Sequence, residues 1–251
     1  RLFRSLVARL FQDYENYAVK KFDAVVSVTP QIVKKFQKIN YQATLVTNFP
    51  SIDSLMLEDD DSICTSDRGK KICFAGVIEP GRMHHNIIMA LGRVPEVGYL
   101  LAGQADNKYI DQLKKLVMWQ NVEYLGWLSF DDVLLIYQQS IAGIVIENYD
   151  DQNYGKEGSL GVTKLFEYMS VGLPVICTDF ILYKEIIDSY HCGICVNPND
   201  IESIANAISY IIYHPEEAKQ MGKNGIRAVK EKYNWSTQEK ALLELYEKIG
   251  R

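Results

Sequence analysis

The chain has 251 residues, of which 47% are hydrophobic, and a formal net charge of −5 at pH 7. That is enough to bury a sizeable core in one large domain, or in one domain plus part of another. The acidic balance argues against a nucleic-acid binder, which would carry a strongly basic face. No apolar run approaches the ~18 residues of a spanning helix and no signal-peptide core is found, so a cytoplasmic location is expected.

In residues 1 to 22, Leu2, Leu6, Leu10, Tyr14, Tyr17 and Ala18 fall at helical spacing, which predicts a helix leading into a strand at Ala24-Val25-Val26-Ser27-Val28. Thr29-Pro30 opens a second helix through Phe36, a strand follows from Ala43 to Val46, and Asn48-Phe49-Pro50 ends the region. Arg1, Arg4 and Arg9 allow the first helix to face an anionic membrane surface. The basic stretch is short and acidic residues follow it, which favours a solvated or packed helix. Residues 51–70 read as a linker centred on Glu58-Asp59-Asp60-Asp61. The acidic run follows no strand and has no second ligand cluster, so it reads as solvated linker, not as a metal site.

From Lys71 onward short apolar runs alternate with helical patterns. Strands are predicted near 72–76, 98–102, 122–125, 142–146, 174–177 and 193–196. Helices fit near 84–93, 107–118, 129–139, 163–171, 181–188 and 200–213, with two more near 215–232 and 236–249. This alternation implies an α/β fold: a doubly wound parallel sheet, Rossmann-like, covered on both faces. Ligands of such sheets bind outside the carboxyl ends of the strands.

Cys192-Gly193-Ile194-Cys195 spells C-x-x-C, but Gly193 to Val196 reads as a strand and not as a helix N-terminus. Structural, reduced thiols are therefore expected. With four histidines (His84, His85, His191, His214) and no second cysteine pair, no metal-ligand spacing appears.

The carboxyl edge carries the chemistry. Phe74-Ala75-Gly76, Ala102-Gly103 and Tyr124-Leu125-Gly126 each end a strand in glycine, and the first loop delivers Pro80-Gly81-Arg82. Glycine lets backbone approach a ligand closely, and arginine offers a fork for phosphate oxygens. The densest signal runs from Gly161 to Gly172, followed by Leu173-Pro174-Val175-Ile176: a loop, a short helix and a strand. Lys164 and Glu167 share one helix face. A phosphate beside Lys164 would also meet unpaired N–H groups and the positive end of the helix dipole, and Glu167 can accept from a ribose diol. The spacing alone is equally that of an ordinary amphipathic helix with a solvated Lys and Glu.

Taken together with Val122-Glu123-Tyr124-Leu125-Gly126, Lys164-Leu165-Phe166-Glu167-Tyr168-Met169, Gly172-Leu173-Pro174-Val175 and Tyr233-Asn234-Trp235, these segments resemble the C-terminal donor domain of family 4 (group 1) GT-B glycosyltransferases. The resemblance covers about residues 71–250. It implies a GT-B C-terminal, nucleotide-sugar-binding domain over 71–251, a linker over 51–70, and in 1–50 the remnant of an N-terminal acceptor domain. It further implies sugar transfer, with retained configuration and no metal, from a UDP- or GDP-sugar donor to a glycan or lipid-linked acceptor in polysaccharide or glycoconjugate assembly. No cofactor is expected beyond that donor substrate, and peripheral membrane contact would come through the N-terminal domain.

Carried over by position, Arg82 and Lys164 form the catalytic pair on the diphosphate. Ser159, Leu160, Gly161, Val162 and Thr163 form the adjoining loop, whose amides assist. Glu167 holds the ribose, Tyr124, Leu125 and Gly126 flank the base, and Gly76 and Gly103 belong to the donor site. Fixed positive groups are what the chemistry asks for, because negative charge develops on the departing phosphate. Ser159 stands where many members have a second glutamate, with Glu157 nearby, and Val77 stands where many have a basic residue. The chain reads as a fragment, and on its own is expected to bind donor weakly and turn over little. Competing readings are a sugar-nucleotide epimerase on the same fold and a nucleotide-sugar binding module without activity of its own.

Overall fold

The computed structural model describes residues 2–51, 69–150 and 153–250. Most of the predicted linker, with its acidic run, lies outside the described residues. The rest divides into two compact units, a smaller one of 1–49, 159–161 and 234–251 and a larger one of 50–158 and 162–233.

In the smaller unit, α1 (Leu2–Val19), β1 (Val25–Ser27), α2 (Pro30–Gln37) and β2 (Ala43–Leu45) follow in sequence. β1 and β2 pair in parallel, Val25 opposite Ala43. Val19, Phe36 and Ala43 form its core. Buried Asn40 ties the turns together, donating to the carbonyls of Val19 (3.1 Å) and Phe22 (2.8 Å) while its side-chain oxygen accepts from the amide of Gln42 (2.9 Å).

The larger unit contains β3 (Lys71–Ala75), α3 (His84–Ala90), β4 (Gly98–Ala102), α4 (Asn107–Leu113), β5 (Val122–Gly126) and α5 (Phe130–Gln138). It continues with β6 (Ala142–Val145), α6 (Thr163–Ser170), β7 (Val175–Thr178), α7 (Ile181–Tyr190), β8 (Gly193–Val196), α8 (Ile201–Tyr213) and α9 (Pro215–Glu231). The six strands form one parallel sheet in the order β5-β4-β3-β6-β7-β8. Successive crossovers run outward to one edge and then, from β6, to the other, so the winding reverses between β3 and β6. At that reversal neighbouring loops diverge and open a crevice.

Alternation sorts the strand residues onto two faces. Ile72, Phe74, Tyr99, Leu101, Ile144 and Ile176 pack with Ile87 and Ile88 of α3 and Ile204 and Ile208 of α8. The opposite face receives α6. A Cβ on Gly143 would stand 2.2 Å from the ring of Tyr168, so glycine there makes room for that side chain.

The predicted helix over 107–118 stops at Leu113, and a 3₁₀ turn at Val117–Asn121 follows. Leu116 is extended, which swings Leu116, Met118 and Trp119 onto the core. The last helix, α10 (Trp235–Ile249), groups with the smaller unit, where Gln238 accepts from the amide of Thr47 at 2.9 Å. The sequence reading instead runs 71–251 as one domain; an amphipathic pattern does not say which unit its apolar face meets.

His84 is fully buried, with Nδ1 2.9 Å from the hydroxyl of Tyr99 and Nε2 without a partner among the described residues. Burial, helped by the charge of Arg82, lowers its pKa from 6.5 to about 3. The unfolded chain takes up this proton below its ordinary pKa and the folded chain does not. The contribution is therefore complete above that value and is lost as pH falls toward the folded one. Between pH ~7 and ~5, urea unfolding should show a loss of about 2 kcal/mol from this residue. His84→Gln should flatten that slope.

Candidate active site at the carboxyl edge of the sheet

The floor of the crevice is backbone. The amide of Gly76 donates to the carbonyl of Ala102 (3.0 Å), and that of Gly103 to the carbonyl of Gly126 (2.7 Å). Gly103 has φ 139°, and a Cβ there would lie 1.6 Å from the carbonyl oxygen of Gly76. Only glycine permits this approach. Above the floor lies a cleft of about 370 Å³, lined among others by Gly76, Gly103, Gln104, Trp127, Phe130 and Lys164, within the size range of small-ligand sites.

Lys164 is set by α6. Leu165, Phe166, Tyr168 and Met169 are fully buried, which turns Lys164 and Glu167 to the remaining face. The cap residue Val162 makes no side-chain bond to the first turn, so it supplies no acceptor to the opening N–H groups, which begin at Thr163. Lys164 Cε lies 3.6 Å from the position a Gly76 Cβ would take, and Nζ is 2.7 Å from Glu167 Oε2. The same Oε2 accepts from the hydroxyl of Tyr137 at 2.9 Å.

Arg82 closes the 3₁₀ turn Pro80–Arg82, whose Gly81 carbonyl accepts from the amide of Asn148 at 2.9 Å. Its guanidinium pairs with Glu147, just beyond β6, and Nε lies 3.6 Å from Glu79. Glu147 is buried, and its Oε2 accepts from Tyr183 at 2.9 Å while its amide donates to Thr178 Oγ1 at 2.7 Å. Burial raises the Glu147 pKa, and Arg82 opposes that shift. A buried carboxylate retains its charge at moderate cost only when paired and bonded in this way.

Both cations therefore stand at the carboxyl edge, Lys164 over the end of β3 and Arg82 at the end of the neighbouring β6. Arg82 does not line the cleft at Lys164. Tyr124, Leu125 and Gly126 do not line it either. The residues directly after them, Trp127 and Leu128, take that place, because Gly126 adopts φ 65° and redirects the chain. Tyr124 reaches the Gly103 carbonyl only at 3.5 Å, beyond a good hydrogen bond. Ser159, Leu160 and Gly161 belong to the smaller unit, where Ser159 Oγ accepts from the amide of Gly161 at 3.2 Å.

Sequence reasoning missed Glu147, Trp127, Phe130 and Tyr137. A lone carboxylate directly after the apolar run 142–146 is the one signal that marked Glu147. Cys192 and Cys195 are both free thiols and are not paired with each other; Cys195 Sγ instead lies 3.8 Å from that of Cys177 on the neighbouring strand. Burial pushes the Cys192 thiol up to about 12, which leaves it protonated and inert.

The family model described as glycosyl transferases group 1 matches residues 58–228, well over half of the chain. The chain belongs to the group 1 glycosyl transferases. An uncharacterized glycosyltransferase of Methanocaldococcus jannaschii is 25% identical over 199 residues, 76% of this chain and 49% of that protein. A phosphatidyl-myo-inositol mannosyltransferase of Mycobacterium leprae is 25% identical over 188 residues, 72% of this chain and 47% of that protein. The chain thus spans about half the length of these relatives. Among solved structures, Anabaena HepE in complex with UDP and glucose superposes with TM-score 0.71 at 15% identity, over 88% of this chain and 62% of that one. At that identity the likeness is one of fold, shared with GT-B glycosyltransferases.

Because a Gly103 side chain would strike fixed backbone, Gly103→Ala should destabilise the group 1 domain by at least ~3 kcal/mol in urea unfolding. Gly76→Ala should cost clearly less, since its Cβ would meet the Phe74 ring edge at 3.2 Å, which can shift.

Proposed function

We propose that the larger unit binds the nucleoside diphosphate of a UDP- or GDP-sugar at the carboxyl edge of its sheet. The whole protein then transfers the sugar, with retained configuration, to a glycan or lipid-linked acceptor. The observation that carries this reading is the placement of Lys164. Its side chain leaves the first turn of α6, where the N-cap side chain makes no bond, and passes over a glycine backbone floor, one helical turn from a carboxylate of the right reach for a ribose. Anabaena HepE, of the same fold, was solved with UDP-glucose, and the Mycobacterium leprae relative is named for mannosyl transfer to a phosphatidyl-inositol; both support it.

In this reading Trp127 and Phe130 wall the base, the floor at Gly76 and Gly103 admits the phosphates, and Glu167 takes the ribose hydroxyls. As the bond to the anomeric carbon breaks, charge moves onto the leaving diphosphate. Lys164, Arg82 and the amides of the α6 first turn favour that charge more than the ground state. The proposed transfer is metal-independent, with Lys164 and Arg82 meeting the developing charge as they turn from Glu167 and Glu147 to the diphosphate. Among the described residues no helix is long and apolar enough to cross a membrane. The setting we propose is cytoplasmic, with contact to a membrane surface when the acceptor is lipid-linked.

Titration of UDP and GDP tests this. Lys164→Ala and Arg82→Ala should each weaken the preferred nucleotide by about 10- to 100-fold, the worth of a charge-assisted hydrogen bond, and should affect the monophosphate much less. Unchanged diphosphate affinity in both variants would contradict the assignment. In the full-length protein, release of free nucleotide from the sugar donor should rise on adding acceptor.

A further inference from the structure

Tyr137 enters none of the roles above, yet its position is unusual for a core tyrosine. Its ring is fully buried and packs edge-on against Tyr168, centroids 5.2 Å apart. Its hydroxyl ends on Glu167 Oε2 at 2.9 Å, the oxygen already held by Lys164 at 2.7 Å. Burial raises its pKa well above the ordinary phenol value, so it remains a donor. One carboxylate oxygen offers two lone pairs, and here both are taken. Glu167 Oε1 accepts no bond among the described residues, and the carboxylate is mostly shielded, its side chain 13% exposed.

Tyr137 also lies on the stripe of α5 that begins with Phe130 and Val133, at spacings of three and four residues. Those two residues line the cleft. One helix therefore carries part of the apolar wall of the cleft and the hydroxyl that holds Glu167, the carboxylate bonded to the cleft's Lys164.

A vicinal diol is best met by both oxygens of a carboxylate, one hydroxyl to each. With Lys164 on Oε2 that arrangement is blocked. A diphosphate drawing the ammonium away would free one lone pair on Oε2 and at the same moment remove half of what holds the carboxylate. We infer that Tyr137 is a positioning residue for the ribose contact: it keeps the Glu167 carboxylate aligned for the two hydroxyls when Lys164 turns to the diphosphate. This rests on the nucleotide-sugar reading proposed above.

The test compares binding of the preferred nucleoside diphosphate, UDP or GDP, with that of its 2′,3′-dideoxy analogue in the full-length protein. Tyr137→Phe keeps the ring and its packing, and its melting curve reports the fold independently. The variant should lose about 5- to 20-fold in affinity for the ribose form and stay within twofold for the dideoxy form, since only the former uses the aligned carboxylate. In a Glu167→Ala background the same change should have no further effect. Equal losses for both nucleotides, or no loss for either, overturn the inference while leaving the nucleotide reading in place. Wild-type protein that binds neither UDP nor GDP overturns both.

Discussion

Burial of one face of α6 is the constraint on which the rest of the site depends. Leu165, Phe166, Tyr168 and Met169 all lie at 0% exposure, each worth roughly 1.5–3 kcal/mol in burial. With four large side chains locked into the core, the helix has one rotational setting. That setting turns residues 164 and 167 outward together. Gly143 in β6 takes part in the same constraint by making room for the Tyr168 ring. The positions of the lysine and the glutamate are thus consequences of packing behind them, and the site is rigid because its back is core.

The second element is the winding reversal between β3 and β6. Both strands are central and their neighbours diverge on either side, so the edge above them is where loops part. Each cation there has a carboxylate partner, Lys164 with Glu167 and Arg82 with Glu147. Both cations are therefore already paired, Arg82 with a second carboxylate in Glu79 as well, and an anionic ligand must share or displace these partners. Arg82 has five donors, and Glu147 and Glu79 engage only part of that fork. Lys164 has three protons to distribute, one of them directed at Glu167. Arg82 in turn compensates the charge of the buried Glu147.

Much of this architecture was readable from sequence because it follows from periodicity. The runs 142–145 and 175–178 are apolar at nearly every position, and each proves to be a fully buried parallel strand. The strand-end glycines Gly76 and Gly103 were read as letting the backbone approach a ligand, and the close approach the structure shows is the one they make to each other. Contacts that depend on distant pairs were not legible. Glu147 finds Arg82 and Tyr183 across 65 and 36 residues, and no local pattern encodes such a meeting. Trp127 and Phe130 were passed over because the strand was taken to supply the wall through 126, whereas the turn at Gly126 hands that role to the next residues. The side on which α10 packs was hidden for the same reason, its partner Thr47 being 191 residues away.

Backbone hydrogen exchange with and without UDP or GDP tests the central claim most directly, because it maps the site without substituting anything. The account predicts that the preferred nucleotide slows exchange in three separate stretches of one sheet edge: the loop after β3 through Arg82, the segment following Gly126 into the start of α5, and the first turn of α6. Protection confined to another part of the molecule, such as the groove between β8 and α8, would contradict it, as would no protection at nucleotide concentrations that saturate binding.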